Sequence, residues 1–159
     1  MTAYSIQEIR RFPVKLLGGE TLESTHLTAQ GLPYDRHWAL FRSDTGARFR
    51  SAEALGALDL NARLLRENPR PVAEISFPDG RALATDDNRL DNAISEYFCL
   101  PLTLRECEGN ARPFHYDSPI TLLAEASLRF LQQEVPHSLL SNRRFRANIL
   151  LADSEGKAE

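Results

Sequence analysis

Two cationic side chains, Lys15 and Arg36, have the types and positions that first suggest binding chemistry. Lys15 ends the run F-P-V-K, and Arg36 follows Asp35 in the run D-R-H-W, so each cation stands beside a predicted turn. Two cations fixed beside turns suit an anion such as a phosphate, which accepts several charge-assisted hydrogen bonds. Spacing alone also allows two solvated surface charges, the commoner role of Lys and Arg beside strands.

A predicted hairpin has to bring these two cations together. An opening strand is expected over 4–14, with either a bulge or partial burial on both faces. The segment 21–28 should return as a strand after a turn at Gly18 and Gly19 with positive φ. A second turn is predicted at 30–33. Arg36 follows this turn and precedes the predicted strand 38–43. The two charged groups should then face one cleft at the rim of the sheet.

Other patterns along the chain predict mainly short strands. A turn at 44–47 should lead into a second strand at 48–50, and a helical turn is expected within 51–58. Amphipathic helices are predicted at 90–98 and 124–135, and further strands at 60–66, 102–105, 148–151 and in a hairpin over 72–84. The sequence thus predicts a mostly β fold with two or three helices (α+β), built as an antiparallel β-barrel or half-barrel.

Length and composition are those of a small protein with one core. The chain has 159 residues, 17.9 kDa and 42% hydrophobic residues, which suffices for one domain, or one domain with a fragment of another. Net charge is −3, the isoelectric point is about 5.8 and there is no long basic run, which argues against nucleic acid or an anionic membrane as partner. With no signal peptide and no long apolar run, a soluble cytoplasmic protein is expected.

The cysteines and histidines do not form a catalytic or metal-binding pattern. Cys99 and Cys107 have neither a C-x-x-C partner nor a nearby histidine, and are interpreted as small apolar residues. His37 is expected to be a partly buried, hydrogen-bonded imidazole. The other histidines lack a companion nucleophile or carboxylate: His26, His115 and His137. No catalytic or metal-ligating residue is therefore assigned.

Short runs near both ends of the chain carry a resemblance to a known family. The runs F-P-V-K, G-G-E-T-L, T-A-Q-G-L and D-R-H-W-A-L, within 12–40, resemble the N-terminal β-barrel domain of MOSC proteins. The runs D-S-P-I-T-L-L-A-E-A-S-L at 117–128 and R-F-R-A-N-I at 144–149 resemble the opening motifs of the MOSC domain proper. The resemblance implies a MOSC N-terminal β-barrel domain at 1–112 and a truncated start of the MOSC domain at 113–159, of the amidoxime-reducing or molybdenum-cofactor sulfurase type.

The resemblance also implies a molybdenum cofactor, a pterin whose dithiolene holds the metal and whose phosphate is bound by cations and amides. The positions that match the family's cofactor-binding residues are Lys15, Arg36, Asp117, Ser118, Arg146 and Asn148. On the residues alone, Asp117 and Ser118 could instead form a turn-stabilising Asx motif, and Arg146 could be an exposed strand charge.

Three departures from the family pattern limit what the resemblance implies. Leu16 replaces a small polar residue after the lysine, Ala147 replaces a proline, and the run starting at 117 is one residue shorter. The family's metal-ligating cysteine lies beyond the R-F-R-P-N run, and neither Cys99 nor Cys107 matches it. The chain alone is therefore expected to be inactive and not to retain molybdenum in stoichiometric amount.

The implied function is that of the N-terminal domain of a molybdenum-cofactor-binding MOSC oxidoreductase or sulfur-carrier protein that lacks most of its catalytic domain. Its partners would be the missing MOSC catalytic portion or a redox partner protein. The rival hypothesis is a free-standing non-catalytic module that binds an anionic ligand or a protein partner. Residues from about Phe114 onward are expected to pack less completely, because the strand 148–151 would lack the family's downstream partners.

Overall fold

Short strands make up most of the regular structure. The computed structural model describes residues 4–107, 113–115, 118–138 and 140–153. Nine strands lie in those ranges: β1 Tyr4–Arg11, β2 Glu20–Leu22, β3 Trp38–Arg42, β4 Asn61–Arg66, β5 Val72–Ser76, β6 Ala82–Ala84, β7 Leu102–Glu106, β8 Leu122–Ala124 and β9 Ile149–Asp153. The helices there are a 3-10 turn at Ala57–Asp59 and three α-helices, α1 Leu90–Phe98, α2 Glu125–Glu134 and α3 Asn142–Phe145.

The strands form three small sheets, and within the described ranges these do not close into one barrel. The largest sheet has the order β2-β1-β9-β8 and is antiparallel except between β8 and β9. The other two sheets, β3-β7 and β4-β5-β6, are antiparallel. The predicted class, mostly β with α-helices and a half-barrel arrangement, is confirmed.

Helix α1 covers the main apolar core. Its buried residues have the helical spacing of an amphipathic face, and they are Leu90, Ala93 and Ile94. They pack in one cluster with Leu60 and Ile75 from the β4-β5-β6 side. Burying each large apolar side chain contributes roughly 1.5–3 kcal/mol, so this cluster is a main source of the stability of the fold. The helix ends at Cys99, whose left-handed φ of 53° stops it before Pro101.

The turn after Lys15 differs from the prediction. Its left-handed residue is Leu16, with φ 77°, and neither Gly18 nor Gly19 has a positive φ. A Cβ on Gly19 would lie 2.2 Å from the Arg11 carbonyl oxygen, and one on Gly18 would lie 2.7 Å from an Asn61 side-chain oxygen. The two glycines are therefore needed for close approach between chain segments, which is a tertiary requirement that the local sequence does not show.

Two predicted strands are shorter in the structure. The strand expected at 21–28 ends at Leu22, and the residues from 23 to 30 are exposed, so no buried face holds them against β1. The predicted strand at 48–50 is reduced to one bridge between Phe41 and Arg48. The predicted hairpin over 72–84 and both predicted helices are present.

Strand β9 has neighbours that the sequence did not predict. It pairs with β1 on one side and β8 on the other, and its residues Ile149 and Leu150 are buried. The expectation that the strand 148–151 would lack partners is therefore wrong, and within this region it is helix α2 that has no buried residue. None of the helices in the described ranges has the length and apolar character needed to cross a bilayer.

Candidate anion-binding cavity

A cavity of about 410 Å³ opens between the turn after β1, the loop before β3 and the segment around α3. Four of its lining side chains are cationic: Lys15, Arg36, Arg144 and Arg146. The other lining residues are mainly apolar, with two hydroxyl groups: Leu16, Ser51, Ala54, Ala57, Leu58, Phe114, Thr121 and Phe145. Among the residues that the structure describes, no carboxylate lines this cavity, so its wall favours an anion.

The amine of Lys15 is fixed at the cavity by a backbone carbonyl. Only 3% of Lys15 is exposed, and its Nζ donates a hydrogen bond to the Phe114 carbonyl oxygen at 2.8 Å. The pKa of Lys15 is lowered from 10.5 to about 8. Burial is the largest cause, followed by the positive charges of Arg48, Arg36 and Arg146. An anion in the cavity would offset both effects and favour the charged amine.

Three protein groups orient the guanidinium of Arg36. Its NH1 donates to the carboxylate of Asp35 and to Oδ1 of Asn148 at 3.1 Å, and its NH2 donates to the Arg146 carbonyl at 2.9 Å. Asp35 is fully buried, and its other oxygen accepts the Phe12 N–H at 2.7 Å. Because Asp35 offsets its charge, Arg36 contributes oriented hydrogen-bond donors more than net charge.

Backbone strain is concentrated at the cavity. Three of the five non-glycine residues with positive φ in the described ranges line it: Leu16 at 77°, Arg36 at 50° and Arg146 at 55°. Each such residue costs roughly 1–3 kcal/mol, and it persists only where surrounding contacts impose it. Strain of this kind gathers at binding sites, which supports a functional role for the cavity.

The structure brings together three of the six predicted cofactor-binding residues, namely Lys15, Arg36 and Arg146. Ser118 is exposed and does not line the cavity. Asp117 lies outside the described residues. Asn148 is fully buried and stands behind the cavity wall.

Asn148 supports Arg36 from behind instead of facing the cavity. Besides the Arg36 guanidinium, its Oδ1 accepts the Thr121 N–H at 3.1 Å and the Thr121 hydroxyl at 3.0 Å. Its Nδ2 donates to the Arg10 carbonyl at 3.1 Å. The side chain thus links β1, the residue before β8 and Arg36, while the direct pterin contact expected for it stays a prediction.

Sequence reasoning missed two prominent residues of the wall, Arg144 and Phe114. Arg144 stands two positions before Arg146 in the R-F-R run, and both reach the same cavity because α3 ends between them and Arg146 turns left-handed. The repeated arginine was the signal that could have found it. Phe114 binds Lys15 through its carbonyl and donates its N–H to the Arg36 carbonyl at 2.9 Å. Backbone contacts of this type leave no sequence signal.

The cysteines and the expected histidine lie apart from this cavity. Cys99 is exposed at the end of α1, and Cys107 is buried after β7. His37 is partly buried with Nε2 3.0 Å from a Glu106 oxygen, so the prediction of a hydrogen-bonded imidazole is confirmed. In the part of the chain that the structure describes, no three His, Cys, Asp or Glu residues are grouped as metal ligands.

Comparisons with known proteins identify the family. The family model for the MOSC N-terminal beta barrel domain matches residues 3–97, which is more than half of the chain. No curated protein and no solved structure matches the sequence. The matched range includes Lys15 and Arg36, whereas Arg144 and Arg146 lie beyond it. The chain belongs to the family defined by the MOSC N-terminal beta barrel domain.

Proposed function

We propose that the cavity binds the phosphate-bearing pterin end of the molybdenum cofactor, and that the chain is the N-terminal part of a MOSC oxidoreductase or sulfur-carrier protein. The observation that carries this proposal is the meeting of Lys15, Arg36 and Arg146 at one cavity, although they come from distant parts of the sequence. These are three of the positions that match the family's cofactor-binding residues. Arg144 adds a fourth cation to the same wall.

The donor set and the shape of the cavity fit such a ligand. Lys15 and the arginines supply charge-assisted donors for a phosphate, and the planar guanidinium groups suit its oxygens geometrically. The apolar side of the wall, which includes Leu16, Phe114 and Phe145, suits the flat ring system of a pterin. When bound, the cofactor would supply oxygen-atom or sulfur chemistry at its metal, while these residues hold and orient the pterin.

The metal itself is proposed to need a thiolate that this cavity does not offer. Neither Cys99 nor Cys107 is among the lining residues. Lys15 and Arg36 already bind the Phe114 carbonyl and the Asp35 carboxylate, and Arg144 is exposed, where a cation–anion pair contributes only about 0–1 kcal/mol. We therefore propose that this chain alone is inactive, and that it gains activity with the MOSC catalytic portion or a redox partner protein.

A binding titration tests the proposal for the cavity. We expect a pterin that carries a phosphate monoester to bind at least tenfold more tightly than its dephosphorylated form, measured by calorimetry at fixed ionic strength. Arg146→Met should remove most of that difference because it deletes one cation of the wall. Arg63→Met is the matched control, since Arg63 is an exposed arginine paired with Glu74 elsewhere on the surface. Equal binding of the two pterins, or equal loss in both variants, would contradict the proposal.

A second candidate function, a non-catalytic module that binds a protein partner, is favoured by the exposed apolar side chains around α2. Phe130 and Leu122 are each 60% exposed, and Val135 is 43% exposed. Large apolar side chains that are exposed are candidates for contact with a protein partner. This candidate predicts that the cavity binds inorganic anions without preferring a phosphorylated pterin, so the same titration separates the two functions.

A further inference from the structure

We infer that Phe12 is a positioning residue of the cavity, whose aromatic ring holds the guanidinium groups of Arg36 and Arg146 together through cation–π contacts. This inference rests on the proposed anion-binding function of the cavity. Phe12 itself is completely buried and does not line the cavity wall. Its role would therefore be exerted through the two arginines and not through contact with a ligand.

The ring of Phe12 lies close to both cations. The Cζ atom of Arg36 is 4.9 Å from the ring centroid, and the Cζ atom of Arg146 is also 4.9 Å from it. Arg10 approaches the same ring at 5.8 Å. All three distances fall within the range in which an aromatic ring attracts a cation through the negative potential of its face.

The attraction to the Phe12 ring acts on two cationic side chains that are held close together. Arg36 and Arg146 come from different segments, carry the same charge, and stand at a cavity that also holds Lys15. The NH2 group of Arg36 even donates to the backbone carbonyl of Arg146 at 2.9 Å, so the two residues are in direct contact. Asp35 offsets the charge of Arg36, and the attraction of both guanidinium groups to one ring acts in addition to that ion pair. A ring shared by both guanidinium groups keeps the donors in place before a ligand arrives.

The backbone of Phe12 binds Arg36 and its neighbour Asp35. Its N–H donates to the Asp35 carboxylate at 2.7 Å, and its carbonyl accepts the Arg36 N–H at 2.7 Å. The ring is closely confined, since a Cβ on Gly19 would lie 2.6 Å from its Cδ1 atom. Phe12 thus has a fixed position relative to Arg36, which a loosely packed core side chain would lack.

The alternative is that Phe12 serves only as a buried apolar side chain, and ring electrostatics separate the two roles. Fluorination of a phenylalanine ring weakens the negative potential of its face while largely preserving its shape. Phe49 provides a matched control, because it is also buried and packs edge-on against Phe98 at 5.1 Å within the apolar core.

The experiment replaces Phe12 with mono-, di- and trifluorophenylalanine in the full chain and measures sulfate affinity by calorimetry. We expect affinity to fall stepwise with each fluorine, to roughly tenfold weaker binding for the trifluoro ring. The same series at Phe49 should leave sulfate affinity unchanged. If fluorination at Phe12 had no more effect than at Phe49, the inference would be overturned while the proposed function stood. If the wild-type protein did not bind sulfate at all, the proposed function would fail, and the inference with it.

Discussion

The pKa of the Lys15 amine is lowered to about 8. Burial is the main cause, and three neighbouring guanidinium groups add to it. An ordinary lysine keeps its charge to far higher pH, with a pKa near 10.4. The Lys15 amine therefore loses its positive charge just above physiological pH. This change affects stability and ligand binding with opposite signs.

We predict that, between about pH 8 and pH 10.5, the protein without ligand becomes more stable while its affinity for sulfate falls. The unfolded chain still binds the Lys15 proton over this range and the folded chain does not, so the free energy of unfolding rises with pH. At 1.36 kcal/mol per pKa unit, the full effect is roughly 3 kcal/mol. Sulfate keeps its charge throughout, so its weaker binding above pH 8 reports the loss of the lysine charge. Chemical denaturation and calorimetry at a series of pH values measure both quantities.

Lys15→Arg is the control for this prediction, because an arginine keeps its charge over the whole range. Its sulfate affinity should stay constant from pH 7 to pH 10, and the rise in stability seen in the wild type should be absent. A wild-type sulfate affinity that did not change between pH 7 and pH 10 would show that the Lys15 amine does not take part in anion binding.

Single residues also show how far the sequence could predict this site. The family motifs predicted Lys15, Arg36 and Arg146, and the structure places these three cations at one cavity. The motifs did not reveal that Asn148 supports Arg36 or that Asp35 balances its charge. Both roles depend on which segments meet in the folded chain, and a run such as D-R or R-F-R-A-N is compatible with several such arrangements.

At the scale of the elements, prediction succeeded where local sequence dictates the structure. Helix α1 and the β5-β6 hairpin follow from apolar spacing and from the turn at Gly80, which has a φ of 88°. The prediction was wrong for the strand expected at 21–28, which ends at Leu22, because the following residues from 23 to 30 are exposed and bury no face against β1. It also missed that β9 joins β1, since pairing between the two ends of a chain leaves no local pattern.

The packing of β9 and α2 leads to a prediction about hydrogen exchange. Strand β9 lies between two strands and buries Ile149 and Leu150, whereas α2 buries no residue. We expect the amides of β9 to exchange at rates close to those of the β5-β6 hairpin, and the amides of α2 to exchange at least about tenfold faster. Hydrogen–deuterium exchange followed by NMR or mass spectrometry measures both elements in one sample. If the amides of α2 and β9 exchanged at equal rates, the prediction that α2 is locally less stable than β9 would be wrong.

At the scale of the whole molecule, the parts before and after residue 112 are joined by several contacts. Strand β1 pairs with β9 over most of its length. The Lys15 amine binds the Phe114 carbonyl, Arg36 binds Asn148, and an Asn142 amide donates to Glu8 at 2.9 Å. These contacts include a sheet, two buried amide side chains and three residues that line the cavity. The family motifs imply a domain boundary at 112. The contacts that form the cavity join residues from both sides of that boundary.

We predict from these contacts that the protein unfolds in one cooperative transition. Losing β9 would leave β1 with an unpaired edge and would remove Asn148 from behind Arg36, so neither part should keep its structure alone. Trp38, the only tryptophan and a buried one, reports on the first part through its fluorescence, and the NMR signals of Ile149 and Leu150 report on the second. Both probes should give the same midpoint in urea, and the calorimetric and van't Hoff enthalpies should agree. If the Ile149 and Leu150 signals were lost at a clearly lower urea concentration than the Trp38 transition, the two parts would be separate folding units, and the cavity would form only while the weaker unit remained folded.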